Sequence, residues 1–306
     1  MTASTVRPRP YADEDLPRLQ DAVSEWIAEA GRCPYDHVGQ VPRRIYGTPR
    51  REASIGERVQ VWEEGDRVVG LCINLRFGVA FDVFAAPALR GTPLEREMVE
   101  ETYRTMGHMI EAGEDFVLTD VFDCDDVRAA LLTDMGFERF RIWDEIEERS
   151  LASPPPLADP PAGFIVRVAV PGDADQLAEA RNDAFDDEGR WTGVLYRTQV
   201  MDKPGYDPMR ELVAVTSDGR VAAFTQYWID ARNEIGQFSP VGTHSAFRRR
   251  GLASVLMVTA MHRMRDEGMR TATVGHDAEN TPATRLYRSL GFEKRHETLG
   301  YRRPRP

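Results

Sequence analysis

Residues 241–254 read VGTHSAFRRRGLAS, and residues 280–292 read NTPATRLYRSLGF. The first stretch leaves a strand, EIGQFSPVGTH, and enters a helix. On one face of that helix Leu252, Val255, Leu256, Ala260 and Met264 recur at i, i+3, i+4, i+8 and i+12, and Gly268 ends it. Amides at a helix start have no intrahelical partner, and the helix dipole favours an anion there. Gly251 and Ala253 are small enough to let phosphate oxygens approach those amides, while Arg248, Arg249 and Arg250 add matching charge. By itself, a basic turn before a helix is more often simply solvated. The second stretch, which follows a short strand over 270–276, changes that balance. Asn280 can cap a helix, Ala283 permits close approach, and Leu286 packs inward. Tyr287 lies two turns beyond Asn280 on the same side, and Gly291 stops the helix.

Together these stretches resemble the acyl-CoA signatures of the GNAT superfamily of N-acetyltransferases. Arg248, Gly251 and Ala253 match the Arg/Gln-x-x-Gly-x-Gly/Ala motif, and Asn280 through Phe292 match the second motif. Val241-Gly242-Thr243-His244 is similar to the family's fourth strand, and the resemblance spans Phe164–Arg303. It implies a fourth and a fifth strand that splay apart, with pantetheine paired to the fourth. Acetyl-CoA is then the co-substrate, its thioester beside Val241 and its pantetheine beside Gly242 and Thr243. Its pyrophosphate rests on the amides of Arg249, Arg250, Gly251, Leu252, Ala253 and Ser254, with Arg248, Asn280 and Tyr287 close by. An amine attacks the thioester carbonyl directly, and a backbone N–H of the fourth strand at Val241 stabilises the oxyanion. Tyr287, a phenol of reference pKa near ~10, protonates the departing thiolate. Relatives often carry a carboxylate on the fourth strand, where this chain has Gln237 and, two further on, Ser239. Glu234 and His244 are the nearest titratable residues, and Glu234 is the candidate base, although either also reads as a solvated side chain. No metal is implied.

Working outward, the chain repeats itself. Arg7 lies six residues before Asp13, as Arg167 lies six before Asp173. VQVWEEGDRVVGLCINL over 59–75 parallels LVAVTSDGRVAAFTQYW over 212–228, each a strand–turn–strand. Gly113 corresponds to Gly268, and Gly136-Phe137 to Gly291-Phe292. Four matches in order at nearly constant offset argue for two copies of one fold, since the period is a whole domain. Each copy reads as a strand, one or more helices, two antiparallel strands, a fourth strand, a long helix, a fifth strand, a helix and a final hairpin. The fold class is thus mixed α/β: two tandem folds, each a mostly antiparallel mixed sheet flanked by helices. LASPPPLADPPA over 151–162 carries five prolines, a semi-stiff spacer. It divides a first domain over 1–150 from a second over 163–306.

The first copy is degenerate at both signatures. Arg90-Gly91-Thr92-Pro93-Leu94-Glu95 falls over Arg248–Ala253, so glycine becomes Pro93 and alanine becomes Glu95. Proline offers no amide, and a carboxylate opposes a pyrophosphate. Asp125 falls over Asn280 and Leu132 over Tyr287. The fold is kept and the acyl-CoA chemistry lost.

Composition narrows the partners. The 306 residues carry 39 basic and 50 acidic side chains, net −11, which opposes both a nucleic-acid backbone and an anionic membrane surface and suits a cationic amine. Cys33, Cys72 and Cys124 are odd in number and far apart, which points to neither a disulfide framework nor a zinc site. The first thirty residues hold charges and prolines where a signal peptide needs an apolar run, and no stretch has membrane-span length. The expected setting is cytoplasmic, and the expected assembly a monomer or homodimer. The leading function is an acyl-CoA-dependent N-acyltransferase moving acetyl to a small-molecule primary amine. The alternatives are a relative of mycothiol synthase, which acetylates a sugar-linked cysteine amine, and a non-catalytic acyl-CoA sensor or scaffold. Trp191 and Tyr196 fall where the family builds its acceptor pocket, though plain packing explains them better.

Overall fold

In the computed structural model, residues 6–47, 54–186 and 190–306 are described; residues 1–5, where the stretch read above for a leader begins, lie outside them. The chain forms two compact units, one of Met1–Glu145 with His296–Pro306, the other of Ile146–Arg295. These boundaries differ from a division at 150 and 163, because the last strand of each copy is shared out between the units.

The first unit runs β1 (Arg7–Pro10), α1 (Leu16–Ala30), α2 (Gln40–Tyr46), α3 (Ile55–Arg58), β2 (Val59–Glu64), β3 (Arg67–Arg76), β4 (Ala80–Ala85), α4 (Pro93–Met109), β5 (Phe116–Phe122), α5 (Asp126–Asp134) and the start of β6 (Glu138–Ser150). The second runs from the end of β6 through β7 (Phe164–Val168), α6 (Ala174–Phe185), α7 (Gly193–Tyr196), β8 (Glu211–Thr216), β9 (Val221–Asp230), β10 (Ile235–Thr243), α8 (Leu252–Asp266), β11 (Thr271–Asp277), α9 (Thr281–Ser289) and the start of β12 (Glu293–Pro304). In each unit the first four strands pair antiparallel in chain order, and the fourth meets the fifth in parallel. Thr298–Pro304 of β12 then lies antiparallel to β5, while the end of β6 lies against β11, where the Leu151 amide donates to the Arg270 carbonyl at 2.8 Å.

Where a closing hairpin was expected, each copy ends in one long strand. The sequence over β6, ERFRIWDEIEERS, contains no glycine, proline or asparagine to turn it. Gly300 in β12 does not turn either: a Cβ there would meet the Phe140 and Trp143 rings at 2.9 and 3.0 Å, so it admits the strand beneath two aromatics.

The duplication reaches individual bonds. Asp173 takes a bidentate ion pair from Arg167 (2.6 and 2.7 Å) and accepts the Val170 amide at 2.8 Å. Asp15 does the same with Arg9 (2.7 and 2.6 Å) and the Ala12 amide at 2.9 Å. The first copy of this motif therefore begins two residues later than the Arg7–Asp13 phrase suggests. At the end of α5 the Phe137 amide donates to the Leu132 carbonyl, and after α9 the Phe292 amide donates to the Tyr287 carbonyl, both at 3.0 Å. Gly136 (φ +82°) and Gly291 (φ +79°) supply the left-handed residue that such a helix end requires.

A disulfide joins Cys33 to Cys124 in the first unit, with their Cα atoms 5.8 Å apart, and Cys72 is a buried free thiol. The number and spacing of the cysteines pointed to no disulfide framework, and this single bond is a correction: 91 residues separate the pair in sequence, so spacing carried no sign of it. No helix of the described residues is long and apolar enough to cross a membrane. In the second unit one apolar cluster gathers α8, including Leu256, Met261 and Met264, and another gathers α6 around Leu177, Phe224 and Tyr196.

Candidate active site

The splay between β10 and β11 positions the site. β10 pairs with β11 only over Ile235–Phe238, but with β9 onward to Thr243, the register shifting between Phe238 and Val241. Val241, Gly242 and Thr243 thus keep one strand edge with no strand beside it among the described residues. Inside the bulge, the Trp228 indole donates to the Ser239 carbonyl at 2.9 Å and the Thr225 hydroxyl donates to the Pro240 carbonyl at 3.1 Å, which anchors β10 to β9.

The chain then turns sharply at a short 3-10 helix, Ser245–Phe247. Arg249 (φ +65°) and Gly251 (φ +77°) are both left-handed, and Gly251 is the N-cap of α8. Nothing lies within 4 Å of a Cβ built on Gly251, so backbone conformation rather than crowding calls for glycine there. The first helical bond comes from the Val255 amide to the Gly251 carbonyl at 3.1 Å. The preceding amides, Arg249 through Ser254, therefore stand at the positive end of the helix dipole. Arg248, Arg249 and Arg250 are exposed around them, and Leu252 is buried beneath. Arg250 also lies over the Phe164 and Phe247 rings at 5.8 and 5.9 Å.

Asn280 caps α9, its Oδ1 accepting the Ala283 amide at 3.2 Å. Its side chain is thus engaged in holding the helix that carries Tyr287. Tyr287 is 5% exposed, with its ring against His276 (5.4 Å) and Phe292 (6.1 Å). Gly242 has a further role that the motif did not reveal: a Cβ there would sit 2.3 Å from the Phe224 ring.

Glu234 is not brought to this site. It stands at the opposite end of β10, seven residues before Val241 and about 20 Å away along a strand. There it pairs with Arg270 at 3.0 Å. Glu234→Gln is accordingly expected to leave kcat within about twofold in an acetyl-transfer assay, and a tenfold loss would restore it as a base. His244 caps the turn instead, accepting the Ala246 amide at 3.2 Å, and faces Asp183 at 3.7 Å. Gln237, where relatives carry a carboxylate, is 3% exposed on β10 opposite Thr273. Trp191 and Tyr196 pack on each other at 5.8 Å, and the Tyr196 hydroxyl donates to buried Glu211, which is the packing explanation.

The first unit shows the same strand-to-helix turn filled by its own anion. Gly91 (φ +71°) takes the place of Arg249, and α4 starts at Pro93. Glu95 is fully buried and accepts the Gly91 amide together with Arg128 (2.6 and 3.0 Å) and Arg90 (3.0 Å). Burial alone would raise its pKa, but Arg128, Arg90 and the Gly91 amide together hold it below the ordinary carboxylate range. Asp125, the counterpart of Asn280, caps α5 through the Arg128 amide at 3.0 Å and also pairs with Arg90. Opening such a buried pair costs about 3–5 kcal/mol, so no outside phosphate displaces it readily.

Diverging fourth and fifth strands with a helix start beside the gap recur in known proteins to which the chain is similar. Residues 175–292 match the Acetyltransferase (GNAT) family and form a domain of that family. The fold of the whole chain is shared with a tandem GNAT protein from the clavulanic acid biosynthesis pathway (TM-score 0.66, 16% identity, 99% of each chain). It is shared also with a GCN5-related N-acetyltransferase from Sphaerobacter thermophilus (TM-score 0.62, 22% identity, 98% of this chain and 96% of that one). Among curated relatives, the mycothiol acetyltransferase of Thermomonospora curvata is 31% identical over 183 residues, 58% of this chain. The match spans 60% of that relative's own length, and 59% of the Salinispora arenicola mycothiol acetyltransferase at 30% identity.

Proposed function

We propose that the chain is an acyl-CoA-dependent N-acyltransferase that moves acetyl from acetyl-CoA to a small-molecule primary amine, with the chemistry in the second copy. The carrying observation is the open edge of β10 at Val241–Thr243 leading directly into the amides of Arg249–Ser254. An extended amide chain ending in pyrophosphate fits that pair of features: hydrogen bonds along a strand edge, then an anion at a helix start. The residues present fit the co-substrate. In this reading Val241, Gly242 and Thr243 hold pantetheine, Arg248 through Arg250 add charge around the pyrophosphate, and Asn280 acts by capping α9.

The amine nitrogen attacks the thioester carbonyl, a backbone N–H near Val241 steadies the oxyanion, and the C–S bond breaks. Tyr287 gives its phenolic proton to the sulfur, and the new ammonium loses its proton to solvent. With Gln237 in place of a carboxylate, the amine arrives neutral or is deprotonated through water. The test is thiol release from acetyl-CoA against a panel of primary amines that includes glucosamine, spermidine, amino-acid amides and the amine precursor of mycothiol. Release stimulated by at least one amine is expected. CoA binding without release on any amine would favour an acyl-CoA sensor instead.

The curated relatives favour one narrower reading, that of a mycothiol acetyltransferase. Two copies in one chain and the identity to proteins of that name support it. Preference for the mycothiol precursor over glucosamine by 100-fold or more in kcat/KM would carry it.

A further inference from the structure

Glu147 lies in the closing residues of β6, inside the second unit, and is wholly excluded from solvent. Its Oε1 stands 3.6 Å from Nε2 of His276 on β11, and 3.9 Å from Nε of Arg288, whose side chain is exposed. The other nitrogen of His276, Nδ1, lies 2.9 Å from the Asp277 carbonyl oxygen. A carbonyl can only accept, so Nδ1 carries a hydrogen. Nε2 is thereby turned toward the Glu147 carboxyl, deep in the same unit. The imidazole in turn packs on the Tyr287 ring, centroids 5.4 Å apart and planes inclined by 51°. The strand under Glu147 is itself tied down, its carbonyl accepting the Thr273 hydroxyl at 3.2 Å.

We propose that Glu147 and His276 are positioning residues for Tyr287: the buried carboxyl stands against the edge of the imidazole, and the imidazole packs on the phenol ring. The proposal rests on the reading of Tyr287 as the group that protonates the leaving thiolate. Glu147 lies outside both acyl-CoA motifs, on the strand that ends the first copy in sequence but belongs to the second unit, so the motifs do not point to it. A reacting group shifted by about 1 Å can lose on the order of 10²-fold in rate, which is the scale of effect such a pair controls.

The experiment uses the full chain, acetyl-CoA and the best amine of the panel above, with turnover normalised to CoA sites counted by titration so that misfolded protein does not enter. Glu147→Gln keeps the shape of the carboxyl but removes its charge beside the imidazole; His276→Phe keeps a ring against Tyr287 and serves where the first variant folds poorly. Each is expected to lower kcat by about 10–100-fold with KM for acetyl-CoA within about twofold. Combined with Tyr287→Phe, neither should lower kcat further, because the group they position is gone. Equal losses with and without Tyr287, or an unchanged kcat, overturn the proposal. A slow Tyr287→Phe enzyme beside a normal Glu147→Gln enzyme sinks the positioning role alone. A normal Tyr287→Phe enzyme sinks the reading of Tyr287, and the proposal with it.

Discussion

Tyr287→Phe is expected to lower kcat by roughly 10²–10⁴-fold, the range of a lost general acid, and to leave CoA affinity within about twofold. The substitution removes one hydroxyl and keeps the ring. The ring contacts to His276 and Phe292, and the bond from the Phe292 amide to the carbonyl of residue 287, therefore survive. Stability should move little for the same reason. The competing explanation is that Tyr287 is an aromatic of the core, as its 5% exposure and its place among the apolar residues under α8 allow. Steady-state kinetics separate the two: packing alone predicts unchanged turnover per folded molecule, proton donation a loss of several kcal/mol in transition-state stabilisation.

Gly251→Glu should weaken CoA binding by 100-fold or more. The residue sits at φ +77°, where a side chain is strained by about 1–2 kcal/mol, yet open space surrounds its Cβ position, so the protein should still fold. The added carboxylate would stand among the amides of Arg249–Ser254, as Glu95 already stands on the Gly91 amide in the first unit. Gly251→Ala shares the strain without the charge and should lose about tenfold or less, since each 1.4 kcal/mol is a factor of ten. Titration calorimetry checks both. Equal losses for Ala and Glu would assign the effect to backbone strain and remove the anion-cradle argument.

Local patterns carried much of this structure in the sequence. The apolar face of α8, the hairpins β2–β3 and β8–β9, and the glycines at 136 and 291 each answer to a few neighbouring residues. Asp125 and Asn280 were legible as counterparts because both cap a helix over the same three-residue span. Contacts between distant segments were not. The exchange of β6 and β12, the Cys33–Cys124 bond and the burial of Glu147 beside His276 leave no trace in spacing. Arg7–Asp13 misled because two arginines alternate with prolines in β1, and only pairing selects Arg9. That Gly242 must also be small because its Cβ position is taken by the Phe224 ring was not legible either. Glu234 looked close to the site in sequence, yet an extended strand carries it about 20 Å from Val241.

If the second copy alone holds acyl-CoA and the first has closed its own cradle with Glu95, calorimetric titration of the intact chain with CoA will give one site per chain, and Gly251→Glu will abolish it. Two equivalent sites, or one that survives that substitution, would overturn this division of labour.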